Sequence, residues 1–305
     1  MAISRVEIKD FFVFKGEFAM DFCPGVNVFI GSNGTGKTTL LRATAIQPAL
    51  GHPYSSSYGF HMYHGTANMR KISNKIEVFP FEDEKYDKNK HIFIPAAEML
   101  SHPEIYPMSE KYNLPYNNSE IDILENAMQP ETREITPNAA KVLGRISEVI
   151  GGEISYENNT FFVMSDKGKI PFSLEASGFQ KFGLLWKLLR NGLIESESVL
   201  FWDEPENSLN PELVPVLVDI LFELSRNGVQ IFIATHSDFL CKWFELKTGD
   251  GHNEDIEFFS LYKENGTIRF KSSQSYTMLE HNSIIDQSVE LYNEHLRRAT
   301  EHDED

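Results

Sequence analysis

Cysteine is scarce in this sequence of 305 residues, where only Cys23 and Cys241 occur, each in an apolar context. Two such residues are typical of buried free thiols and argue against a fold held together by disulfides. Long apolar runs are missing too: the chain has no stretch of about eighteen apolar residues and no N-terminal apolar run before a small-residue cleavage site. We therefore expect neither a membrane span nor a secretory signal, and a cytoplasmic location.

Positive charge is also in short supply, with 28 Lys and Arg against 45 Asp and Glu and a formal net charge of -17. Such an acidic surface repels phosphates at long range, so the charge does not support general binding to nucleic acid, although a local basic groove is compatible with it. Internal repeats and heptad runs long enough for a coiled-coil arm are absent from the sequence. The 41% hydrophobic content is ample for the core of a globular protein.

Apolar segments alternate with helical patterns in the last third of the chain. The sequence predicts strands at 199–202 and 229–234, a helix at 211–225 between them, a hairpin turn at Asn265-Gly266 and a terminal helix at 283–298. Near-continuous apolar strands separated by a helix indicate an α/β fold with a parallel sheet covered on both faces. A strand that ends at Ile30 and a helix that runs from the following loop towards Pro48 fit the same pattern.

Residues 50–171 differ in composition and are interpreted as an inserted lobe, helical with small strands. Loops rich in Gly, Ser, Tyr, Asn and Pro prevail there, but 91–94 predicts a buried strand, and small hairpins are expected around Asn158-Asn159 and Lys167-Gly168. A helix is predicted to start at Thr136-Pro137 and to end at Gly151-Gly152. We accordingly divide the chain into a core of 1–49 and 172–305 and a lobe of 50–171.

A glycine-rich loop follows the strand that ends at Ile30 and precedes a predicted helix. Residues 31–38 read GSNGTGKT and fit G-x-x-x-x-G-K-[ST], whose backbone N–H groups and helix N-terminus attract phosphates. Lys37 is placed to neutralise the β- and γ-phosphates and Thr38 to offer its hydroxyl to Mg²⁺. The alternative is a glycine-rich turn that binds nothing. The candidate ATP-binding residues are Asn33, Gly34, Thr35, Gly36, Lys37, Thr38 and Thr39.

Paired acids end the predicted strand 199–202. Asp203 is placed to hold Mg²⁺ through water, and Glu204 to polarise an attacking water. The alternative is an acidic N-cap for the following helix, which could account for Glu206.

A second predicted anion site opens a helix at Ser177 and Gly178. Taken alone, it could be an ordinary N-capped helix. With this element, the order of motifs resembles that of ABC ATPases, in particular the SMC, RecF and OLD-type heads. The resemblance implies a P-loop NTPase fold with a mixed or parallel sheet flanked by helices. It also implies a signature helix whose serine reaches the nucleotide of a second subunit, while Phe179 stands where the family has a second glycine.

The same resemblance assigns two further positions. Asn210 lies where the family has a dimer-contact loop, in place of Asp or His, and His236 resembles its switch histidine. No glutamine matches the family's Q-loop, so Glu98 is a candidate there, with a structural surface glutamate as the alternative. Residues 93–101 are similar to a segment of small standalone ATPases of bacterial anti-phage systems.

The resemblance implies an ATPase that closes as a homodimer around ATP and Mg²⁺, with Glu204, Lys37, His236 and Ser177 as its catalytic residues. Because no nuclease motif is recognisable, we expect a separately encoded effector, a nuclease or toxin, as partner. The alternatives are a nucleotide-binding subunit of a membrane transporter and a slow scaffold in which ATP is structural. A zinc site at His61 and His64 is a weaker alternative, since no cysteine supports it.

Overall fold

The computed structural model describes residues 2–45, 59–64, 67–68, 71–72, 75–76, 91–112, 118–166, 168–248 and 255–301. The first eight strands are β1 (Ile3–Phe11), β2 (Phe14–Asp21), β3 (Val26–Gly31), β4 (Gly59–His64), β5 (Ala67–Asn68), β6 (Lys71–Ile72), β7 (Lys75–Ile76) and β8 (His91–Ile94). The other strands are β9 (Glu153–Glu157), β10 (Thr160–Ser165), β11 (Gly168–Pro171), β12 (Val199–Asp203), β13 (Gln230–Ala234), β14 (Ile256–Glu264) and β15 (Thr267–Ser273).

Helices connect these strands and flank the sheets. They are α1 (Lys37–Ala45), α2 (Ile105–Tyr112), α3 (Asn118–Met128), α4 (Pro137–Ile150), α5 (Ser177–Arg190), α6 (Val214–Arg226), α7 (Asp238–Thr248) and α8 (Ser283–Glu301). Within the described ranges, no helix combines the length and the apolar character that crossing a membrane requires.

A six-stranded sheet in the order β15-β14-β3-β13-β12-β8 forms the centre of the molecule. Its strands from β14 to β8 are parallel, and β15 pairs antiparallel to β14, so the sheet is mixed as predicted. Because side chains alternate across a strand, Leu200 and Trp202 belong to one hydrophobic core and Val199 and Phe201 to a second core on the other face. Burial on both faces explains why the strands read as continuous apolar runs.

Most predicted elements are present. Thr136 caps α4 by accepting a hydrogen bond from the Ala139 N–H, and Gly151 ends the helix in a left-handed conformation. The helix predicted at 211–225 begins as a 3-10 turn at Pro211–Leu213 and continues as α6. The sequence did not predict α2, α3 or α7. The predicted helix end near Pro48 and the side chains of His61 and His64 lie outside the described residues.

The division into core and lobe needs one correction. Strand β8 falls inside the predicted lobe of 50–171, but it pairs in parallel with β12 from Val199 opposite His91 to Trp202 opposite Ile94. It therefore belongs to the central sheet, where it is the last strand among the residues that the structure describes. The sequence of a four-residue apolar strand does not indicate which other strand it pairs with, because pairing between distant segments depends on how the whole fold packs. The rest of the division stays a prediction.

Helix α5 packs closely on the small sheet of β9, β10 and β11, which leads to a test. A Cβ at Gly183 would lie 2.5 Å from Cε2 of the buried Phe172. Overpacking costs about 1–3 kcal/mol, which outweighs the gain of about 1 kcal/mol in helix propensity. We expect Gly183→Ala to lower the free energy of unfolding, measured by urea denaturation.

The matched control is Gly144→Ala in α4. This glycine is also helical, but a Cβ there would have no neighbour within 4 Å. Alanine should stabilise the protein by about 0.5–1 kcal/mol at that position. Equal stabilisation by both substitutions would contradict the close approach of α5 to Phe172.

Candidate nucleotide-binding site

Three loops meet at the carboxyl ends of the neighbouring parallel strands β3, β13 and β12. The glycine-rich loop follows β3, His236 follows β13, and Glu204 follows β12. The carboxyl ends of parallel strands share one edge of a sheet, which is where open α/β folds bind ligands. The topology therefore gathers residues that are as distant in the chain as Asn33 and His236.

The loop after β3 curls around the side chain of Lys37. The Lys37 Nζ donates to the carbonyl oxygens of Gly31 at 2.7 Å and of Ser32 at 3.2 Å. Burial lowers the pKa of Lys37 to about 8, against the opposing effect of the nearby carboxylates Glu204 and Asp203. A cation in a glycine-rich loop at a helix N-terminus is an arrangement that can bind an anion. The remaining loop residues divide by exposure: Asn33 and Gly34 are exposed, Thr35 and Gly36 are buried, and Thr39 is half-buried.

Thr38 and Asp203 are in direct contact. The Thr38 hydroxyl donates to Asp203 Oδ1 at 3.1 Å. Burial raises the pKa of Asp203, a shift that the bond from Thr38 opposes. A hydroxyl and a carboxylate are ligands that Mg²⁺ accepts, and they face each other beside the anion site. The residues present thus fit a magnesium ion.

Glu204 stands immediately after β12 in a left-handed conformation with φ 48. Its N–H donates to the Ala234 carbonyl at 2.8 Å, which ties it to the end of β13. Its Oε1 lies 3.7 Å from His236 Nε2, and the side chains of Glu204 and His236 are 37% and 39% exposed. Burial lowers the pKa of His236, which favours the neutral form of the imidazole. A carboxylate and an imidazole therefore lie side by side, both partly open to solvent.

Glu206 does not cap the next helix, as the sequence had allowed. That helix is capped by Asn210, whose Oδ1 accepts from the Glu212 N–H at 3.1 Å. Glu206 Oε1 instead accepts hydrogen bonds from the Thr235 hydroxyl and, at 3.3 Å, from the His236 N–H. The carboxylate thus holds the residues around His236.

Lys181 is a site neighbour that the sequence did not reveal. It is buried on α5, and its Nζ donates to the Glu204 carbonyl at 2.6 Å. Burial lowers its pKa to about 8. Its position four residues after Ser177 was a usable signal, because residues four apart share a helix face.

Ser177 is exposed at the start of α5. It does not act as the N-cap: Ala176 holds that position, without a side-chain cap bond. The Ser177 hydroxyl makes a long contact of 3.4 Å to the Ser208 carbonyl. Gly178 is packed closely, since a Cβ there would lie 3.2 Å from Leu209 Cδ1. Leu174 nearby is 75% exposed, so this surface presents both a hydroxyl and an apolar side chain to solvent.

Glu98 has a structural role in the described fold. Its carboxylate accepts hydrogen bonds from the Leu100 N–H at 2.6 Å and from the Ser101 N–H at 3.2 Å, which closes the turn after β8. Both interactions favour the structural alternative for this residue.

The fold is that of the P-loop ATPase heads of the ABC and SMC type. The chain is similar to the SMC head domain from Thermotoga maritima, with a TM-score of 0.52 and 13% identity over 90% of this chain and 100% of that one. It is also similar to MJ1267, an ATP-binding cassette of an ABC transporter, with a TM-score of 0.53 and 17% identity over 96% and 99%. At these identities the likeness shows a shared fold.

Residues 68–242, more than half of the chain, match the family described as "AAA domain, putative AbiEii toxin, Type IV TA system". The chain belongs to this family, as an ABC/SMC-like ATPase head.

Two curated relatives show partial similarity. The DNA replication and repair protein RecF of Heliobacterium modesticaldum is 46% identical over 46 residues, which are 15% of this chain and 12% of that protein. The L-cystine import ATP-binding protein TcyC of Bacillus subtilis is 23% identical over 215 residues, or 69% of each chain. The matched part thus spans about an eighth of the RecF protein's length.

The close packing of the glycine-rich loop, residues 31–38 and hereafter the phosphate loop, against β14 is testable at Gly31. Its φ is 148, and a Cβ there would lie 2.3 Å from the Leu261 carbonyl oxygen on β14, the hydrogen-bonded neighbour of β3. We expect Gly31→Ala to destabilise the protein by about 2 kcal/mol or more, measured by thermal denaturation. Gly266→Ala is the control, because Gly266 has φ 78 but open space around it. That change should cost only about 1 kcal/mol; equal losses at both positions would show that the close approach is unimportant.

Proposed function

We propose that the chain binds and hydrolyses ATP as a homodimer in which each protomer completes the other's site. The observation that carries this proposal is the convergence of Lys37, Thr38 and Asp203 at one sheet edge, while Ser177 is exposed at the surface. The glycine-rich loop and the adjacent carboxylate of Asp203 suit the binding of a nucleotide together with Mg²⁺. The exposed Ser177 suits contact with a second copy of the chain.

In this proposal the loop from Asn33 to Thr39 holds the triphosphate. Backbone N–H groups and Lys37 bind the β- and γ-phosphates, since a buried ammonium gains most from a nearby polyanion. Thr38 and Asp203 would hold Mg²⁺, which when bound offsets the negative charge of the phosphates.

Glu204 is proposed as the general base that polarises the attacking water, and His236 as the group that contacts the γ-phosphate. Their side chains lie 3.7 Å apart and are partly open to solvent, which leaves room for water and ligand. Lys37 stabilises the charge that develops on the phosphates.

Ser177 and Gly178 are proposed to act on the nucleotide of the partner protomer. The hydroxyl of Ser177 is not used as a helix cap, and the helix N-terminus behind it favours an anion. The exposed Leu174 beside it would be covered in the closed dimer.

The first test uses two substitutions with different consequences. Glu204→Gln keeps the shape but removes the base, so we expect kcat to fall by about a hundredfold or more and the ATP-bound dimer to persist on size-exclusion chromatography. Lys37→Ala should abolish ATP binding, measured by calorimetry. An ATPase rate per molecule that is independent of protein concentration through the dimerisation range would rule out the two-headed mechanism.

A second test asks whether Ser177 acts in trans. Ser177→Arg blocks the signature surface and Lys37→Ala empties the phosphate loop, so each variant alone should be inactive. A mixed dimer regains one intact site, formed by Lys37 of one protomer and Ser177 of the other, and mixing should therefore restore ATPase activity. Ser173→Arg, at another exposed serine nearby, is the control and should remain active. No recovery on mixing, with mixed dimers present, would contradict the trans arrangement.

We further propose that the closed dimer gates a separately encoded effector, a nuclease or toxin, in anti-phage defence or a DNA transaction. The family description, which includes a putative toxin of a type IV toxin–antitoxin system, and the local similarity to RecF support this reading. The similarity to TcyC over 69% of the chain supports a second candidate, the ATP-binding subunit of a transporter. Purification of Glu204→Gln from its native cell distinguishes them, because an effector or a nucleic acid would copurify without detergent, whereas a membrane subunit would require it.

A further inference from the structure

Two sets of polar contacts lie behind the nucleotide site and involve three elements that each carry a proposed reaction group. Lys181 on α5 donates to the Glu204 carbonyl, and Glu206 after β12 accepts from Thr235 after β13. Lys181 and Thr235 are buried, and Glu206 is half-buried. Buried polar groups are costly unless they are paired, so their position calls for an explanation.

The Lys181 ammonium holds the backbone of Glu204. Its bond of 2.6 Å goes to the Glu204 carbonyl, and Glu204 is in the sparsely populated left-handed region. A conformation of this kind persists only where surrounding contacts fix it. The contact from α5 and the N–H bond to the Ala234 carbonyl are two such contacts.

Glu206 holds the loop that carries His236. One oxygen accepts from both Thr235 Oγ1 and the His236 N–H, and the Thr235 hydroxyl also accepts from the Ser237 N–H at 2.9 Å. The other oxygen, Oε2, is buried with no hydrogen-bond partner among the described residues. Burial raises the pKa of Glu206, and the hydrogen bond from Thr235 and the positive charge of Lys181 oppose that shift, so Lys181 is near enough to act on this carboxylate electrostatically.

We propose that Lys181 and Glu206 are a pair of positioning residues that hold Glu204 and His236 in place and link them to the helix that carries Ser177. The inference rests on the proposed function, because it assigns Ser177 to the partner's nucleotide. Lys181 lies four residues beyond Ser177 on the same face of α5. Fixing the start of α5 on the partner's nucleotide therefore also fixes the carbonyl of Glu204 in the protomer's own site, and the two ATP sites of the dimer act cooperatively.

The experiment compares one lysine and one glutamate of these contacts with a lysine and a glutamate that form ion pairs elsewhere. Lys181→Met removes the link, and Lys187→Met is its control, because Lys187 is also buried on α5 but pairs with Glu131 at 3.0 Å away from the site. Glu206→Ala removes the loop anchor, and Glu223→Ala is its control, since Glu223 pairs with Lys141 at 2.7 Å and Arg145 at 3.2 Å. Steady-state ATPase kinetics and the Hill coefficient for ATP are measured per folded molecule.

We expect Lys181→Met and Glu206→Ala to lower kcat by about tenfold or more with the KM for ATP changed less than about twofold, and to bring the Hill coefficient from above 1 to about 1. The controls should lose stability and keep both kinetic quantities. Should Lys181→Met fail to fold, Lys181→Arg, which keeps a donor, and Glu206→Gln, which keeps the accepting oxygen, carry the test: each should retain kcat within about threefold.

Two results would overturn the inference. One is a wild-type Hill coefficient of 1, and the other is kinetics of Lys181→Met and Glu206→Ala equal to those of their controls. Either can occur in an enzyme that still hydrolyses ATP and still recovers activity on mixing Lys37→Ala with Ser177→Arg. Failure of the positioning pair is therefore distinguishable from failure of the proposed function.

Discussion

The site depends on the contact between Thr38 and Asp203, because it joins the phosphate loop to the acidic strand end across the intervening strand β13. Asp203 ends β12, whereas Thr38 lies on α1, the helix that follows β3. The apolar side chains on both faces of the central sheet hold β3 and β12 in place. The buried apolar side chains supply no group to the site. They nevertheless fix the spacing between the Thr38 hydroxyl and the Asp203 carboxylate, which are 165 residues apart in the chain.

Electrostatics then follow from burial. Lys37 and Lys181 are both withdrawn from water, and burial lowers the pKa of each to about 8. Each ammonium donates to backbone carbonyls: Lys37 to those of Gly31 and Ser32 in its own loop, and Lys181 to that of Glu204 after β12. A desolvated ammonium is attracted strongly to a nearby anion, which suits the proposed role of Lys37. The bond of Lys181 instead links α5 to the end of β12.

The features of the fold and the site that depend on neighbouring residues could be predicted from the sequence. Those that depend on contacts between distant residues could not. The spacing of glycines before Lys37, the acids after a run of apolar residues, and the Thr136 and Gly151 ends of α4 are each determined within a few residues, so the sequence reports them directly. Strand β8 was missed as a member of the central sheet, and Lys181 and Glu206 were missed as neighbours of the site. Each of these depends on how a whole element packs, which short patterns do not encode. The role of Glu98 was left open for the same reason.

The left-handed backbone at Glu204 implies a trade-off between robustness and chemistry. Such a conformation costs a side-chain-bearing residue about 1–2 kcal/mol, and glycine would avoid that cost while deleting the carboxylate. Selection for thermal stability alone would therefore favour replacement of Glu204 by glycine. The presence of Glu204 therefore indicates that the chain tolerates an unfavourable backbone conformation at the residue whose side chain lies beside His236.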